Sequence, residues 1–377
     1  MNDFMEDKEF EEHRKRHAER MERMRKEKEQ HEQIIKKVKK VVPLVIGLVV
    51  LFVIAGITGN NDAGTKEEDT QIQTETEMIV TETELPTETE LIVEEGPKYE
   101  FVETENTVGI NTDKVISGNA VLVDATNNTI VAGKGAKERI SPASMTKVLT
   151  ILVAAEHITE EQLEDTFTMT LEITDYSYVN DCSCVGFLKD EVIPVKDLFY
   201  GTILPSGADA AVGLATYVAG SHEAFVELMN EKLEELGLSE SAHFTNCVGL
   251  YDKEHFCTVY DMAVIMKAAM DNELCREVLT TKYYVTTPTE LHPEGLGISN
   301  WFLRRIEDKE TGGEVIGGKT GYVVQSRSCA VSYGIMANGN AYICATAGSS
   351  GSKNCINDHV AIYTKYVPEV SSPVGTE

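Results

Sequence analysis

The sequence predicts an α+β fold: an antiparallel sheet flanked by helices with an inserted helical subdomain, preceded by one transmembrane helix and a disordered stalk. Three observations support this prediction. Beyond about residue 106, strand-like segments lie at both ends of the region and helix-like segments lie between them, which favours one sheet built from both ends. Residues 41–57 are apolar and uncharged, and residues 61–105 are acidic and repetitive.

The first 40 residues form a charged segment with 13 Lys and Arg against 11 Asp and Glu. Glu, Lys, Arg and Met dominate it, which is typical of a solvated helix. Its apolar residues are few for a heptad seam, so a coiled coil stays an open alternative. We predict a cytoplasmic charged helix over residues 1–40.

Residues 41–57 read VVPLVIGLVVLFVIAGI, and their length is at the lower limit of what can span a membrane as a helix. Four lysines, the last of them Lys40, precede this segment, and four acidic residues between Asp62 and Asp69 follow it. The positive-inside rule then places the N-terminus in the cytoplasm and the remainder outside. We predict a retained transmembrane signal-anchor over residues 41–58. A cleaved signal peptide is the alternative, although its charged leader would be unusually long and no A-x-A site follows.

The segment 59–105 is predicted to be an acidic stalk rich in Thr and Glu. Between residues 61 and 105 there are fifteen acidic residues and two lysines, a balance of -13. Such a segment buries too little apolar surface to fold and repels itself, so we expect an extended spacer.

The remaining chain is predicted to be one catalytic domain over residues 106–370, followed by a tail over 371–377. Its size suits a single large domain or a domain with an inserted subdomain. A net charge of -28 for the whole chain excludes a protein that holds nucleic acid by its phosphates.

The first half of this domain predicts a hairpin and then helices. Asn119–Asp124 and Thr129–Ala132 alternate around an asparagine turn. Nearly all-apolar residues from Met145 to Ala155 predict a buried helix. Three further helices are expected, one beginning near Ser206, one from Ser221 to Leu236 and one over Thr258–Met270.

The last third of the domain is predicted to be mainly strands. Val315–Gly318, Ser326–Met336 and Asn340–Ala347 are apolar or alternate, with a hairpin turn at Asn338-Gly339. A helix over His359–Tyr366 is expected to close the domain.

All eight cysteines lie outside the predicted membrane span, where disulfides form readily. Cys247 and Cys257 bracket the loop NCVGLYDKEHFCT, and we expect them to be bridged. A zinc site near His243 and His255 is the alternative, although no C-x-x-C pair supports it.

The stretch ISPASMTKVLTILVAAEH places Ser144 three residues before Lys147 at a predicted helix start. If Ser144 were only a helix cap, Glu or Gln would be expected three residues later. The lysine found there is unfavourable, because the N-terminus of a helix carries a partial positive charge. A serine nucleophile needs a base beside it, and burial at a helix N-terminus lowers a lysine pKa enough to serve. The sequence therefore predicts a catalytic pair, and the same helix start is also expected to be capped by Ser144. A second S-x-x-K, Ser350 to Lys353, lies among glycines that disfavour a helix.

Two further motifs accompany the pair. Ser206 opens a predicted helix in PSGADAA, and Lys319, Thr320 and Gly321 form K-T-G in VIGGKTGYVV near a strand edge. Lys319 offers a charge and Thr320 a hydroxyl to a substrate carboxylate, while the flanking glycines admit a ligand to the backbone. No cofactor is expected, since the H-E and G-K motifs present lack their partner residues.

S-x-x-K, S-G-x and K-T-G in this order resemble the signature of penicillin-binding proteins. From about residue 118 to 346 the chain resembles the serine D-alanyl-D-alanine carboxypeptidases, the low-molecular-mass penicillin-binding proteins of the β-lactamase and transpeptidase-like superfamily. NAVLVDATNNTIVAGKGAKERISPASMTK, VKDLFYGTILPSGADAAVGLA, HFTNCVGLYDKEHFCTVYDMAVIM and KTGYVVQSRSCAVS carry the resemblance.

The resemblance implies that Ser144 forms the acyl-enzyme and that Lys147 accepts its proton. Ser206 would relay a proton to the leaving amine, and Lys319, assisted by Thr320, would bind the substrate carboxylate region. The substrate-binding K-T-G strand would continue to Tyr322, whose backbone N–H joins that of Ser144 as an oxyanion-hole donor. The implied partners are peptidoglycan stem peptides, and β-lactams as covalent inhibitors.

Three departures from the family pattern are visible. Ala208 replaces the Asn that usually ends the second motif, which affects rate and specificity. The C-terminal β-rich domain and C-terminal anchor of many members are not expected here, and the N-terminal span would supply the membrane attachment. Cys247 and Cys257 are not a general family feature.

Arg304, Arg305 and Arg327 are equal candidates for recognition of the terminal carboxylate.

The function expected is therefore that of an exported, single-pass membrane enzyme that trims the terminal D-alanine of stem peptides. A catalytically weak wall-sensing or binding protein is one alternative, because of Ala208. A β-lactamase is the other, although the glutamate used for deacylation by class A enzymes has no counterpart between Ser206 and Tyr260.

Overall fold

A computed structural model describes residues 99–368. The predicted charged helix, the membrane span, most of the stalk and the tail over 371–377 lie outside the described residues. Within residues 99–368, no helix has the length and apolarity needed to cross a membrane.

Six strands form the main sheet in the order β1-β3-β2-β10-β9-β8. These strands are β1 (Val102–Gly109), β2 (Asn119–Asp124), β3 (Thr129–Lys134), β8 (Gly313–Val323), β9 (Arg327–Met336) and β10 (Ala341–Ser349). Two small hairpins lie apart from this sheet, β4 (Thr166–Thr168) with β5 (Val192–Pro194), and β6 (Tyr283–Val285) with β7 (Gly297–Ser299).

The helices of the described region lie mostly between β3 and β8. They are α1 (Thr146–Glu156), α2 (Leu171–Val179), α3 (Val195–Ile203), α4 (Ala208–Ala219), α5 (His222–Glu235), α6 (Val259–Asp271), α7 (Glu273–Thr280), α8 (Leu303–Ile306) and α9 (Ser352–Tyr366). Short 3-10 turns occur at Ala143–Met145 and Glu161–Glu164. The predicted α+β class and the helical insertion between the two halves of the sheet are confirmed.

The central strands are apolar on both faces because both faces are covered. Along β2, Val121 and Val123 pack into one core, whereas Ala120 and Leu122 pack into a second core on the opposite face. The first core includes most of the buried helices, and the second lies beneath α9. A strand buried on both sides loses the alternation of polar and apolar residues, which explains the run AVLV.

The turns form where the sequence places them. Asn128 has a φ of 55° between β2 and β3, and Gly339 has a φ of 85° between β9 and β10. Helix α5 begins after Ser221, whose hydroxyl accepts from the Ala224 amide, and α6 begins with a capping box of Thr258 and Asp261.

Some predicted boundaries differ from the structure. Strand β1 begins at Val102 and pairs in parallel with β3, so residues 102–105 belong to the sheet although the sequence assigns them to the stalk. The last helix begins at Ser352, directly after the extended N-cap residue Gly351, and not at His359. The glycines therefore precede the helix, and Lys353, which was predicted to lie outside a helix, belongs to its first turn. Helices α2, α3, α7 and α8 were not predicted.

The expected Cys247–Cys257 disulfide is wrong, since both are buried free thiols. The Cys247 sulfur lies 3.7 Å from the Ala211 carbonyl oxygen, while the Cys257 backbone pairs with Ile140. Loop 247–257 is instead held by His255, whose ring contacts the Thr146 hydroxyl and the Thr245 amide.

Candidate active site

The nucleophile candidate Ser144 lies in a 3-10 turn, Ala143–Met145, that runs directly into the buried helix α1. The predicted capping role of Ser144 is wrong, because neither the turn nor α1 has a side-chain cap. Its hydroxyl oxygen instead lies 3.1 Å from the Lys147 ammonium nitrogen. The Ser144 hydroxyl is thus hydrogen-bonded to Lys147, three residues further along the chain.

Lys147 is only 2% exposed, and its nitrogen also donates to the Val248 carbonyl at 2.8 Å. Burial lowers the pKa of Lys147 to about 8, partly opposed by nearby Cys182, Cys247 and Asp209. Desolvation disfavours an ammonium, so a minor but reactive neutral fraction exists near neutral pH. A neutral lysine can accept the proton of an attacking serine.

The Val248 carbonyl is positioned by Asn246, a residue that sequence reasoning missed. The Asn246 side-chain oxygen accepts from the amides of Val248, Gly249 and Leu250 at 3.2, 2.7 and 3.0 Å. Gly249, with a φ of 86°, packs so tightly that a side-chain carbon there would overlap the Ala143 carbonyl. The only sequence signal for this role of Asn246 was its position in N-C-V-G, within one of the stretches that carry the family resemblance.

The second serine and the second lysine also meet. Lys319 on β8 donates to the Ser206 hydroxyl at 2.8 Å and to the Thr320 carbonyl at 2.8 Å. Ser206 adopts a φ of 63°, a left-handed conformation that is uncommon outside glycine and frequent at functional sites. It is not a helix cap, because α4 begins after Gly207 without a side-chain cap.

The two lysines influence each other. Burial, and secondarily the charge of Lys147, hold the pKa of Lys319 well below its usual value. Two buried ammonium groups in one site are costly, so protonation of one disfavours protonation of the other. An arriving carboxylate would restore the charge of Lys319 while leaving Lys147 free to act as a base.

Ala208 lies at the first turn of α4 and is fully buried. Its amide donates to the Ser183 carbonyl at 2.8 Å. The adjacent Asp209 carboxylate accepts from the Val185 amide at 2.9 Å and the Gly186 amide at 3.0 Å. The second motif is therefore attached to the loop 182–187 beside Lys147, and the position that usually carries Asn presents only a methyl group.

Strand β8 carries K-T-G past the nucleophile. It is an edge strand, paired with β9 along one side. A side-chain carbon at Gly321 would lie 3.0 Å from the Ser144 amide nitrogen and 2.8 Å from the Cys329 sulfur, so glycine alone permits this approach. Tyr322 follows Gly321 on the strand, and its ring is 66% exposed. The strand therefore brings its backbone against the backbone of Ser144.

The three arginine candidates lie in different places. Arg304 and Arg305 belong to α8, where Arg304 donates to the Ser299 hydroxyl and Arg305 to the Trp301 carbonyl. Arg327 is exposed at the start of β9, opposite Val323, on the same hairpin as K-T-G.

A serine hydroxyl beside a buried lysine, with a second serine–lysine pair and an edge strand alongside, is the arrangement that acyl transfer would need. Residues 105–346 match the family model described as D-alanyl-D-alanine carboxypeptidase. The chain therefore belongs to this family, whose members are serine DD-peptidases of the low-molecular-mass penicillin-binding type.

Individual relatives agree with this assignment. D-alanyl-D-alanine carboxypeptidase DacF of Bacillus subtilis is 30% identical over 56% of this chain and 52% of its own length. DacC of Escherichia coli is 36% identical over 39% of this chain and 38% of its own length, so the matches span about half or less of these relatives. A solved mutant of Streptomyces K15 DD-transpeptidase is 25% identical, with a TM-score of 0.60 over 67% of this chain and 97% of that one.

Proposed function

We propose that this protein is a membrane-anchored, exported serine carboxypeptidase that removes the terminal D-alanine from peptidoglycan stem peptides. The observation that carries the proposal is the 3.1 Å contact between Ser144 and the buried Lys147, with the Lys319–Ser206 pair completing the site. The match to the family model over residues 105–346 supports the choice of substrate class.

In the first step, neutral Lys147 takes the proton of the Ser144 hydroxyl, and the serine oxygen bonds to the carbonyl carbon of the penultimate D-alanine. The negative charge develops on the former carbonyl oxygen. The backbone N–H groups of Ser144 and Tyr322 are assigned to this oxyanion, and one such donor typically contributes about 3 kcal/mol.

In the second step, the bond from carbon to the nitrogen of the terminal D-alanine breaks. The proton held by Lys147 reaches this nitrogen through Ser206, so free D-alanine leaves and an ester remains on Ser144. Lys319 faces the terminal carboxylate during this step, and the carboxylate restores its charge.

In the third step, water adds to the ester carbon and gives its proton to Lys147. Collapse of the intermediate breaks the ester, the serine oxygen regains the proton, and the stem peptide leaves one residue shorter. A β-lactam would enter the same first step. Its ring-opened product stays attached, so its ester has to be hydrolysed before the site is free.

The membrane attachment is assigned to residues 41–58, whose apolar composition and flanking charges favour a span with its N-terminus in the cytoplasm. The acidic segment 59–105 would separate the domain from the membrane surface. Added protease should cut the chain beyond residue 58 in intact spheroplasts. Resistance of the catalytic domain until the membrane is broken would contradict this orientation.

The activity is tested by D-alanine release from an acyl-D-Ala-D-Ala peptide. Wild type should release one D-alanine per peptide, and Ser144→Ala should release none. Ser350→Ala is the matched control, since Ser350 begins the second S-x-x-K, is exposed, and accepts a hydrogen bond from the Asn354 side chain. A wild-type protein that binds the peptide and forms no ester would instead be a binding protein, the alternative that Ala208 favours.

A further inference from the structure

The side chain of Asn300 covers part of the free edge of strand β8. Asn300 directly follows β7 and is only 2% exposed. Its amide nitrogen donates to the Gly318 carbonyl at 3.1 Å and to the Leu279 carbonyl at 3.4 Å. Gly318 immediately precedes Lys319 of the K-T-G motif, so this contact lies next to the residue assigned to the substrate carboxylate.

The Asn300 side chain is held at its oxygen as well as at its nitrogen. The oxygen accepts from the Phe302 amide at 3.0 Å and from the Leu303 amide at 3.2 Å, where α8 begins. The Asn300 backbone N–H donates to the Lys282 carbonyl at 2.9 Å. Both polar atoms of the side chain therefore have partners, and its position against β8 is fixed.

The register of β8 shows which backbone groups face the free edge. Within the described region β8 is the last strand of the main sheet, and it pairs with β9 without interruption over residues 317–323. In an antiparallel pair, every second residue directs its N–H and C=O to the partner strand, and the residues between direct theirs away. Because the Gly318 carbonyl bonds to Asn300, the residues that face the free edge are Gly318, Thr320 and Tyr322.

Two of these three positions are already occupied. The Gly318 carbonyl accepts from Asn300, and the Thr320 carbonyl accepts from the Lys319 ammonium at 2.8 Å. Tyr322, whose backbone N–H is assigned to the oxyanion, follows at the end of the strand where the edge is open. A peptide can therefore pair with the edge near Tyr322 and meets occupied carbonyls towards Gly318.

The permitted length of the leaving group follows from this order. With the scissile carbonyl at the Tyr322 N–H, a peptide along the edge advances about 3.4 Å per residue. One residue brings its carboxylate level with the Thr320 carbonyl, where the Lys319 ammonium lies. Two further residues would reach the level of Gly318, where Asn300 covers the edge. The edge thus has room for a leaving group of one residue and obstructs one of three.

The strand is also packed on both faces at this point. A side-chain carbon at Gly318 would overlap the Phe302 ring, and one at Gly317 would lie 3.6 Å from the Met266 methyl carbon and the Met270 sulfur. Gly317, Gly318 and Phe302 are buried. A longer leaving group would have to displace packed core residues to continue along the strand.

We propose that Asn300 is a specificity-determining residue, which confines cleavage to peptides that end at the residue after the scissile bond. Peptides whose leaving group continues along β8 are rejected because Asn300 covers the edge at Gly318. This assignment rests on the proposed function for the direction in which the peptide lies. It makes the protein a carboxypeptidase that does not cut extended linear peptides internally.

Thioester substrates test the proposal on the full-length wild-type protein in detergent, because a sulfur leaving group keeps poor substrates measurable. The acyl-D-Ala group is attached to thioglycolate, to thioglycolamide, or to thioglycolyl-Gly-Gly amide, and the released acid is followed by chromatography. Neither amide carries a carboxylate, so their comparison separates length from charge. The extended amide should have a kcat/KM about a hundredfold below that of thioglycolamide, the usual cost of a displacement of about 1 Å. Equal values for the two amides would overturn the proposal.

Asn300→Ser tests the residue itself. Serine keeps an oxygen that can cap α8 and withdraws the amide from Gly318. The kcat/KM of the extended amide relative to thioglycolamide should rise about tenfold or more, as expected when a pocket gains this much space. Asn272→Ser is the matched control, since Asn272 caps α7 by accepting from the Cys275 amide at 3.0 Å, and it should keep the wild-type ratio.

An unchanged ratio in a folded Asn300→Ser protein would exclude Asn300 as the determinant. The wild-type comparison of the two amides decides on the closed edge even where the variant fails to fold. Release of D-alanine by wild type from an acyl-D-Ala-D-Ala peptide reports separately on the proposed function.

Discussion

The ammonium nitrogen of Lys147 lies 3.1 Å from the Ser144 hydroxyl, and because the residue is buried, this group is largely removed from water beside the group it would activate. A helix N-terminus is an unfavourable place for a cation, and burial increases the cost. Its ammonium nitrogen donates to the Val248 carbonyl and the Ser144 hydroxyl, and nearby Cys182, Cys247 and Asp209 offset the cost of burial only in part. The arrangement favours the neutral amine that catalysis requires.

The pH dependence of acylation should reflect this lysine. Because the pKa of Lys147 is lowered to about 8, the neutral base is the minor form below pH 8 and the major form above it. The rate of acylation by a chromogenic penicillin should rise about tenfold per pH unit below 8 and level off above it. A flat rate between pH 6 and 8 would contradict a lysine base.

Lys147→Arg tests whether Lys147 acts as a general base or only supplies a positive charge. Arginine remains protonated at all accessible pH values, so acylation should fall by about 10²–10⁴, the usual contribution of general base catalysis. Lys353→Arg, in the second S-x-x-K, should keep wild-type rates. Acylation of Lys147→Arg at more than a tenth of the wild-type rate would exclude the proposed role.

Lys147→Met should be more stable than wild type although inactive. The pKa of Lys147 is lower in the folded state than its usual 10.5, so between pH 8 and 10.5 the unfolded chain binds more protons. The burial cost is therefore fully present below pH 8 and disappears as pH rises through this window. Removing it should raise the free energy of unfolding at pH 7 by about 1–3 kcal/mol, measured by urea unfolding. The gain should vanish above pH 10.5, and a stability loss at pH 7 would contradict the account.

Asn246→Ala should impair both stability and activity. Three backbone amides lose their acceptor, which typically costs about 1–3 kcal/mol per buried group before water compensates. The Val248 carbonyl would then be less well placed for Lys147. Asn246→Asp keeps the accepting oxygen and should retain more acylation activity than Asn246→Ala. Equal activity of both variants would show that Asn246 does not position Val248.

Gly321→Ala tests the approach of β8 to the nucleophile. The added carbon would lie 3.0 Å from the Ser144 amide and 2.8 Å from the Cys329 sulfur, so the strand or the turn has to shift. A displacement of even a fraction of an ångström at an oxyanion donor should reduce acylation by about tenfold or more. Gly351→Ala, where the nearest atom is 3.9 Å away, is the matched control. Normal acylation of Gly321→Ala would place the oxyanion elsewhere.

Local sequence signals predicted much of this structure. The asparagine turns, the Ser221 cap and the buried helix after Ser144 all depend on residues close in the chain. The order of S-x-x-K, S-G-x and K-T-G likewise indicated which side chains meet, although Ser206 and Lys319 are 113 residues apart.

Contacts that depend on the tertiary fold were not predictable. The Val248 carbonyl is 101 positions from Lys147, and any residue can supply a carbonyl, so no side-chain pattern marks it. The parallel pairing of β1 was hidden by its acidic composition, which continues that of the stalk. Bracketing of a loop by Cys247 and Cys257 gave no information on where their side chains point, and the Cys247 sulfur lies against the Ala211 carbonyl oxygen.

The most direct test of the central claim is intact-mass spectrometry after exposure to penicillin. Wild type and Ser350→Ala should each gain one penicillin mass per chain, with the adduct on the peptide that contains Ser144, and Ser144→Ala should gain none. An adduct on Ser144→Ala of the same yield as on wild type would contradict the assignment of Ser144 as the nucleophile.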